Sequence, residues 1–325
     1  MRTLPRIGLH ALALATVVVV VFALPRAMPG DPLDTLGGGG ADFRDPVIHA
    51  QLQKYYGLNR PLASQFVRYL GQLARGDLGT SVTQHVAVSS LVRERLPWTL
   101  LLVGTALVLS SLCSFVLGMA AGWRHRSSSG RFLVVATTGV SAVPGFALAT
   151  LLLVGLAVAW PLFPVSGAQT PFAHYGSPLA AVGDVARHLA LPALALGLPL
   201  VGTNVLLVRN TVVGALGRDY LTLARAKGLP ERTVKWRHAG RNALLPFVTV
   251  VGTQVGFAVG GAVFVESVFG YPGMGSLVLQ AVADRDYPVL NATLLLLAMV
   301  VLAVNLAVDL LYRRLDPTTT IVAPR

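Results

Sequence analysis

Gly217-Arg218-Asp219-Tyr220-Leu221-Thr222-Leu223-Ala224-Arg225-Ala226-Lys227-Gly228-Leu229-Pro230 lies at the centre of a polar, basic stretch running from Arg209 to Ala243, with apolar segments on both sides. Leu216, Tyr220, Leu223 and Lys227 recur at helical spacing, so a helix entering at Arg209 is expected to continue to about Lys227. Gly228 can adopt positive φ and close that helix. Pro230 suits the first position of a second helix, with Glu231 favourable near its N-terminus. That helix is expected to run through Val234 and Trp236 towards Asn242 and Pro246. The small side chains of Ala224 and Ala226 leave a slim turn that another surface can approach closely. Two readings fit: a docking surface for a soluble partner, or a basic loop whose charges only set topology.

The apolar flanks decide the fold class. Hydrophobic residues make up 54% of the chain and charged residues 12%, against about 25% charged in soluble domains. Six stretches reach the roughly 20 apolar residues that a membrane helix needs: Ile7–Leu24, Trp98–Trp123, Phe132–Ala159, Leu189–Val208, Leu244–Val268 and Val289–Leu311. The expectation is an all-α polytopic membrane protein with six transmembrane helices. Met1–Arg6 followed by an apolar run resembles a signal peptide. The run is too long for one, however, and no clear small-x-small site follows, so an uncleaved anchor is expected.

Charge sets the orientation. Arg124, Arg126 and Arg131 follow the second span without an acid, the Arg209–Ala243 loop is strongly basic, and Arg313, Arg314 and Arg325 follow the last span. The segments around 160–188 and 269–288 carry one basic residue each, Arg187 and Arg285. The positive-inside rule then puts both termini and the 209–243 loop in the cytoplasm. The expected plan is an N-terminal transmembrane helix at 1–24, an external segment at 25–97, a five-helix core at 98–311 and a cytoplasmic tail at 312–325. In the external segment, Ile48, Leu52, Tyr55 and Tyr56 share a helical face stopped by Gly57. Pro61 opens a second helix with a stripe of Leu62, Phe66, Tyr69, Leu70 and Leu73, and Gly76–Ser81 reads as a turn. These helices either cover the bundle or meet an external partner.

Several function classes drop out. The net charge of +12 gathers in alternate loops without interleaved aromatics, so nucleic acid is not a partner. Cys113 is the single cysteine, which excludes an internal disulfide, and the seven histidines lack metal-ligand spacing. None of the lysines (Lys54, Lys227 and Lys235) follows a glycine, so there is no phosphate-binding loop and ATP is not hydrolysed here. Gly-x-Ser-x-Gly and His-Glu-x-x-His are also absent, so no enzyme activity is expected. The apolar runs hold only His10, Glu266 and Asp309 as ionisable groups. Arg313 stands four residues after Asp309 and suits a local ion pair, so a proton relay is poorly supported. A receptor or scaffold without flux is the competing class.

The pattern Asp219-Tyr220-x-x-x-Ala224-Arg225-Ala226-Lys227-Gly228-Leu229, followed by Arg237-His238-x-x-Arg241-Asn242-Ala243-Leu244-Leu245-Pro246, resembles the coupling segment of binding-protein-dependent ABC importer permeases. The likeness is to the dipeptide/oligopeptide and nickel group, in the first of its two permease subunits. It extends through Met28–Pro32, Tyr56–Pro61, Gly76–Ser81, Glu94–Pro97, Leu162–Gly167, Glu266–Gly275 and Arg285–Pro288. It implies a type I importer fold and a heterodimer with a second permease subunit in the bilayer. It also implies an extracytoplasmic solute-binding protein and cytoplasmic ATPase subunits that use ATP and Mg. The cargo implied is di- or oligopeptides, with nickel, glutathione or oligosaccharides carried by related machinery. Asp219, Tyr220, Thr222, Ala224, Arg225, Ala226, Lys227, Gly228 and Leu229 would meet the ATPase. The broader motif begins Glu-Ala-Ala, whereas Thr222-Leu223-Ala224 stands here, so an ion pair from that glutamate is not available.

At membrane depth, Gly252, Gly256 and Gly260 recur every four residues and read as a helix-packing stripe. Asn204, Thr253, Gln254 and Asn291 are polar groups that either line a passage or hydrogen-bond between helices. Glu266 is either a gate or a carboxylate that orders the following turn. Pro144-Gly145, Pro192 and Pro199 are expected to kink or interrupt helices.

Overall fold

The computed structural model describes residues 4–27 and 59–315. Among them, helices account for all regular structure apart from one isolated bridge, Thr80 to Ala87. The expected helix at 48–57, the Met28–Pro32 and Gly37–Gly40 stretches and the tail beyond 315 lie outside the described residues. So do the side chains of Asp309 and Arg313.

The elements in order are α1 (Leu4–Ala27), α2 (Leu62–Ala74), α3 (Val88–Trp123), α4 (Ser128–Ser141) and α5 (Gly145–Leu152, continued by a π-helical turn at Leu153–Ala159). There follow α6 (Pro178–Leu216), α7 (Asp219–Ala226), α8 (Glu231–Val268), α9 (Met274–Ala283) and α10 (Tyr287–Leu315). Among the described residues, four helices are long and apolar enough to cross a membrane: α3, α6, α8 and the 287–308 part of α10. The apolar part of α1, Gly8–Leu24, is shorter.

The stretch read as one span, Phe132–Ala159, is broken at Pro144-Gly145, where an interruption was expected, into two helices meeting at 96°. Pro144 has no N–H to continue a ladder and disfavours the α conformation at the residue before it. Its own backbone is extended, with ψ 137. Pro192 and Pro199, by contrast, leave α6 unbroken. The helices α3 and α6 also begin well before their apolar runs, at Val88 and Pro178, and Pro97 lies inside α3.

The chain divides into two compact units, 1–99 with 272–302 and 100–271 with 303–325. In the first, α2 lays Phe66, Tyr69 and Leu73 against Val18 and Val21 of α1 and Leu295 of α10. The Phe22 and Phe66 rings meet edge-on at 5.0 Å, and Arg26 stacks over Phe22 while donating to Gln65 Oε1. Partial cover of Phe66, Tyr69 and Leu73 explains why an amphipathic helix forms here, while Leu62 and Leu70 of the expected stripe stay exposed.

In the second unit α6 is central: 61% of its apolar window is buried, against 28% for α3. Close backbone approach makes this possible. A Cβ on Gly118 of α3 would come within 2.6 Å of Val208 Cβ, and one on Gly122 within 2.8 Å of Val212 Cβ. The small-xxx-small spacing of Gly118 and Gly122 therefore seats α3 on α6. Met119, Val208, Val212, Ala243 and Phe247 fill the adjoining core, which brings α8 onto the same helix. Gly202 of α6 meets α4, where Ser141 Oγ accepts the Gly202 N–H at 2.7 Å and donates to the Leu198 carbonyl at 3.4 Å.

Candidate functional site

The polar stretch folds as a short helix held between two long ones. The helix α6 stops at Gly217 rather than continuing to Lys227, because Arg218 is extended (φ −86, ψ 144) and starts α7 afresh. Asp219 sits in the first turn, where its charge complements the helix N-terminus. The C-terminus is a complete Schellman closure. Leu229 N–H donates to Ala224 O, Gly228 N–H donates to Arg225 O, and Gly228 has φ +72. Pro230 then takes the N-cap position of α8 rather than its first turn, with ψ 142.

Leu221 and Ala224 point inward, almost fully buried, against Ala215, Val234 and Ala239, with Trp123 and Leu216 beside them. Ala224 thus seats the helix on its own unit and is not open to another surface. Asp219, Tyr220, Thr222, Leu223, Arg225, Ala226, Lys227, Gly228 and Leu229 are all exposed. Leu223 is 56% exposed, and Tyr220, Leu229 and Trp236 are other large apolar groups open to solvent on this stretch. An apolar group left uncovered on a charged loop is a mark of an interaction surface.

Two side-chain contacts brace α7 from the flanks. Arg225 Nε donates to Glu231 Oε1 at 2.8 Å while its guanidinium stands 5.7 Å from the Trp123 ring. Asn242 Nδ2 donates to the Tyr220 hydroxyl at 2.7 Å. Between them, α8 passes from its first residues, Glu231–Thr233, into a π-helical turn, Val234–Ala239. Its wider winding sets Trp236 and Arg237 outward while Val234 and Ala239 stay buried.

The polar groups at membrane depth separate clearly. Asn204 (α6) and Gln254 (α8) are buried and paired with each other. Asn204 Nδ2 donates to Gln254 Oε1 at 2.9 Å, and Gln254 Nε2 donates to Asn204 Oδ1 at 3.0 Å. Thr253 lies on an exposed face of α8 and donates to its own helix at Val250 O. Asn291 is buried in α10, and its Oδ1 has no hydrogen-bond partner among the described residues. In the glycine stripe, a Cβ at Gly252 would come within 2.5 Å of Val308, whereas one at Gly260 would meet open space.

Glu266 is fully buried in the last turn of α8. Its carbonyl accepts the Tyr271 N–H at 2.8 Å, and Gly270, at φ +55, donates to Ser267 O, so this helix closes with the same Schellman geometry as α7. Burial, and then the Glu266 charge, push the Tyr271 phenol above its ordinary range. Gly167 N–H donates to Phe269 O and joins the 162–167 segment to this turn. Nearby in sequence, Asp184 accepts from Thr170 N and Oγ1 and from the Tyr175 hydroxyl, all at 2.7 Å.

Residues 114–321 match the model of the binding-protein-dependent transport system inner membrane component family. The chain belongs to this family. It is a permease component of an ATP-binding-cassette importer of the peptide type, a multi-pass membrane protein whose family works as part of a larger assembly. The permease is 37% identical over 313 residues to a protein of Brucella ovis named as a peptide permease, covering 96% of this chain and 95% of that one. It is 36% identical over 305 residues to the glutathione transport system permease protein GsiC of Salmonella typhimurium, covering 94% of each. The GsiC protein of Escherichia coli O6:H1 is also 36% identical, over 306 residues.

Sequence reasoning missed Gly118, Gly122 and Gly202, which set the helix approaches. It also missed Asp286, a buried carboxylate described below. The Gly118/Gly122 spacing was visible, but an apolar run contains many small residues and only the fold says which meet a neighbour.

Proposed function

We propose that this permease forms, with a second permease subunit, the membrane path for di- or oligopeptides delivered by an extracytoplasmic binding protein. Cytoplasmic ATPase subunits, using ATP and Mg, dock on α7 and supply the energy. Both termini and α7 are then cytoplasmic, as the loop charges require. The observation that carries this reading is the geometry of α7. It presents exposed Leu223, Ala226 and Leu229 outward, is seated inward through Leu221 and Ala224, and is closed at Gly228. A short helix held this way transmits force to α6 and α8 with little internal give. Contact with the ATPase rests on the shape of that outward face, since Thr222 has no charge to offer.

Glutathione is itself a small peptide, and the names of the GsiC relatives support it as one member of the cargo class. The decisive measurement is uptake in proteoliposomes holding the full complex, with di-, tri- and pentapeptides, glutathione and nickel competing for one labelled dipeptide. Competition by short peptides is expected, and competition by nickel alone would overturn the peptide reading. Gly228→Asp and Ala226→Arg should abolish uptake while the permease still inserts. Normal uptake in both would sink the docking role of α7.

A further inference from the structure

Asp286 lies just before α10 and is 2% exposed. One carboxylate oxygen, Oδ2, accepts from Ser81 Oγ at 2.6 Å, Thr83 Oγ1 at 3.1 Å and Thr83 N–H at 3.2 Å. The other, Oδ1, accepts the Val289 N–H at 3.3 Å, the N-cap contact that starts α10. One side chain therefore caps the last long helix and pins a turn some two hundred residues away in sequence. A carboxylate taken out of water is tolerated when its lone pairs are met by donors in this way.

The pinned turn has a buried foot and an exposed crest. Ser81 and Val82 are buried, while Gln84, His85, Val86 and Ala87 are exposed. Its backbone closes through Ser81 N–H to Val86 O at 2.9 Å and His85 N–H to Ser81 O at 3.2 Å. His85 is held at φ 56, a conformation that costs a non-glycine residue free energy and persists only where the surroundings impose it. Further along the chain, Met274 N–H donates to Thr99 Oγ1 at 2.7 Å, so α9 is also fastened to this unit.

We propose that Asp286 is a positioning residue that holds the Gln84–Ala87 crest as a docking element for the extracytoplasmic binding protein. This rests on the importer reading above, which makes this end of the chain external. The surface chemistry favours a soluble protein over the bilayer. The crest carries Gln84 and His85, and the sequence on either side exposes Arg75, Asp77, Arg93 and Glu94, charges of both signs. Mixed polar surface of that kind suits an aqueous protein contact. Because the carboxylate belongs to the turn and to the start of α10 together, a load placed on the crest reaches the last span directly.

The test uses the whole complex in lipid nanodiscs, with the purified peptide-binding protein of the same transport system titrated in and ATP hydrolysis recorded. Asp286→Ala and the double variant S81A/T83V should raise the binding-protein concentration for half-maximal stimulation by roughly tenfold, as expected for losing hydrogen bonds to a buried charge. Hydrolysis without binding protein should be unchanged. Asp286→Asn, which keeps one acceptor oxygen and puts an NH2 donor in place of the other, should shift the curve less. Should Asp286→Ala fail to assemble, S81A/T83V carries the test, since it leaves the carboxylate and the α10 cap in place. Titration curves like the parent's in every variant that assembles would overturn the role. An equal loss of basal and stimulated hydrolysis would also overturn it, in favour of plain structural damage. A parent complex unaffected by the binding protein would overturn the importer reading, and this inference with it.

Discussion

Replacing Asn204 or Gln254 with leucine tests whether the two amides exist to hold α6 and α8 together. Each exchanges a donor and an acceptor with the other at 2.9 and 3.0 Å, in a site where Asn204 has no exposed surface. Asn204→Leu leaves the Gln254 amide with a donor and an acceptor unmet in apolar surroundings, and Gln254→Leu does the same to Asn204. Stranding such a group costs about 1–3 kcal/mol. The coupling should be smaller than that loss. Interhelical hydrogen bonds in membranes average about 0.6 kcal/mol each, with an upper value of about 1.7, so two bonds predict a coupling of about 1 kcal/mol. The double variant should therefore be less destabilised than the sum of the single ones, since neither amide remains to be stranded. The assay is equilibrium unfolding of the purified permease complex in mixed micelles for the parent, both single variants and the double. Additivity within about 0.5 kcal/mol would refute the pairing argument. Single variants that keep stability but raise the KM for uptake would assign the amides to the peptide path instead.

Three further outcomes follow from the same geometry. Gly118→Val should destabilise the α3–α6 contact by about 1–3 kcal/mol through overpacking, seen as a lower Tm of the complex, because its Cβ would fall 2.6 Å from Val208 Cβ and 3.0 Å from the Val205 carbonyl. Gly228→Ala meets open space but keeps φ +72, so it should cost only about 1 kcal/mol. Faster hydrogen exchange confined to α7 would register that. The Tyr175 phenol is held above its ordinary range mainly by its hydrogen bond to Asp184. A raised folded-state value favours the folded 160–177 loop at pH below the ordinary tyrosine range, and that contribution is lost as pH rises through the folded value. Phenol titration by ultraviolet difference spectroscopy should therefore show late-ionising tyrosines, Tyr175 and Tyr271 among them, and Tyr175→Phe should lower their number by one.

Composition and the order of motifs settled the class of this protein. A chain this apolar, with too few charges for water, places its long segments in lipid, and there they must be helices because nothing else in the bilayer core satisfies their backbone groups. The stop at Gly228 was legible for a local reason, since glycine takes positive φ without steric cost. The same Schellman closure follows Arg285, at φ 51, where no glycine signals it. What the sequence left open was anything set by a distant neighbour. Asn204 and Gln254 were polar residues of undecided role until α6 and α8 brought them to 2.9 Å. Ala224 read as open surface until Val234 and Ala239 closed over it. The interruption at Pro144-Gly145 was legible from the proline, whereas the size of the turn, 96°, was not. Asp286 stood within a segment that carried the resemblance but gave no sign of its role, since that lies in its bonds to Ser81 and Thr83. Local rules act within a turn or two of chain, whereas packing and shared hydrogen bonds are decided where segments far apart in sequence meet.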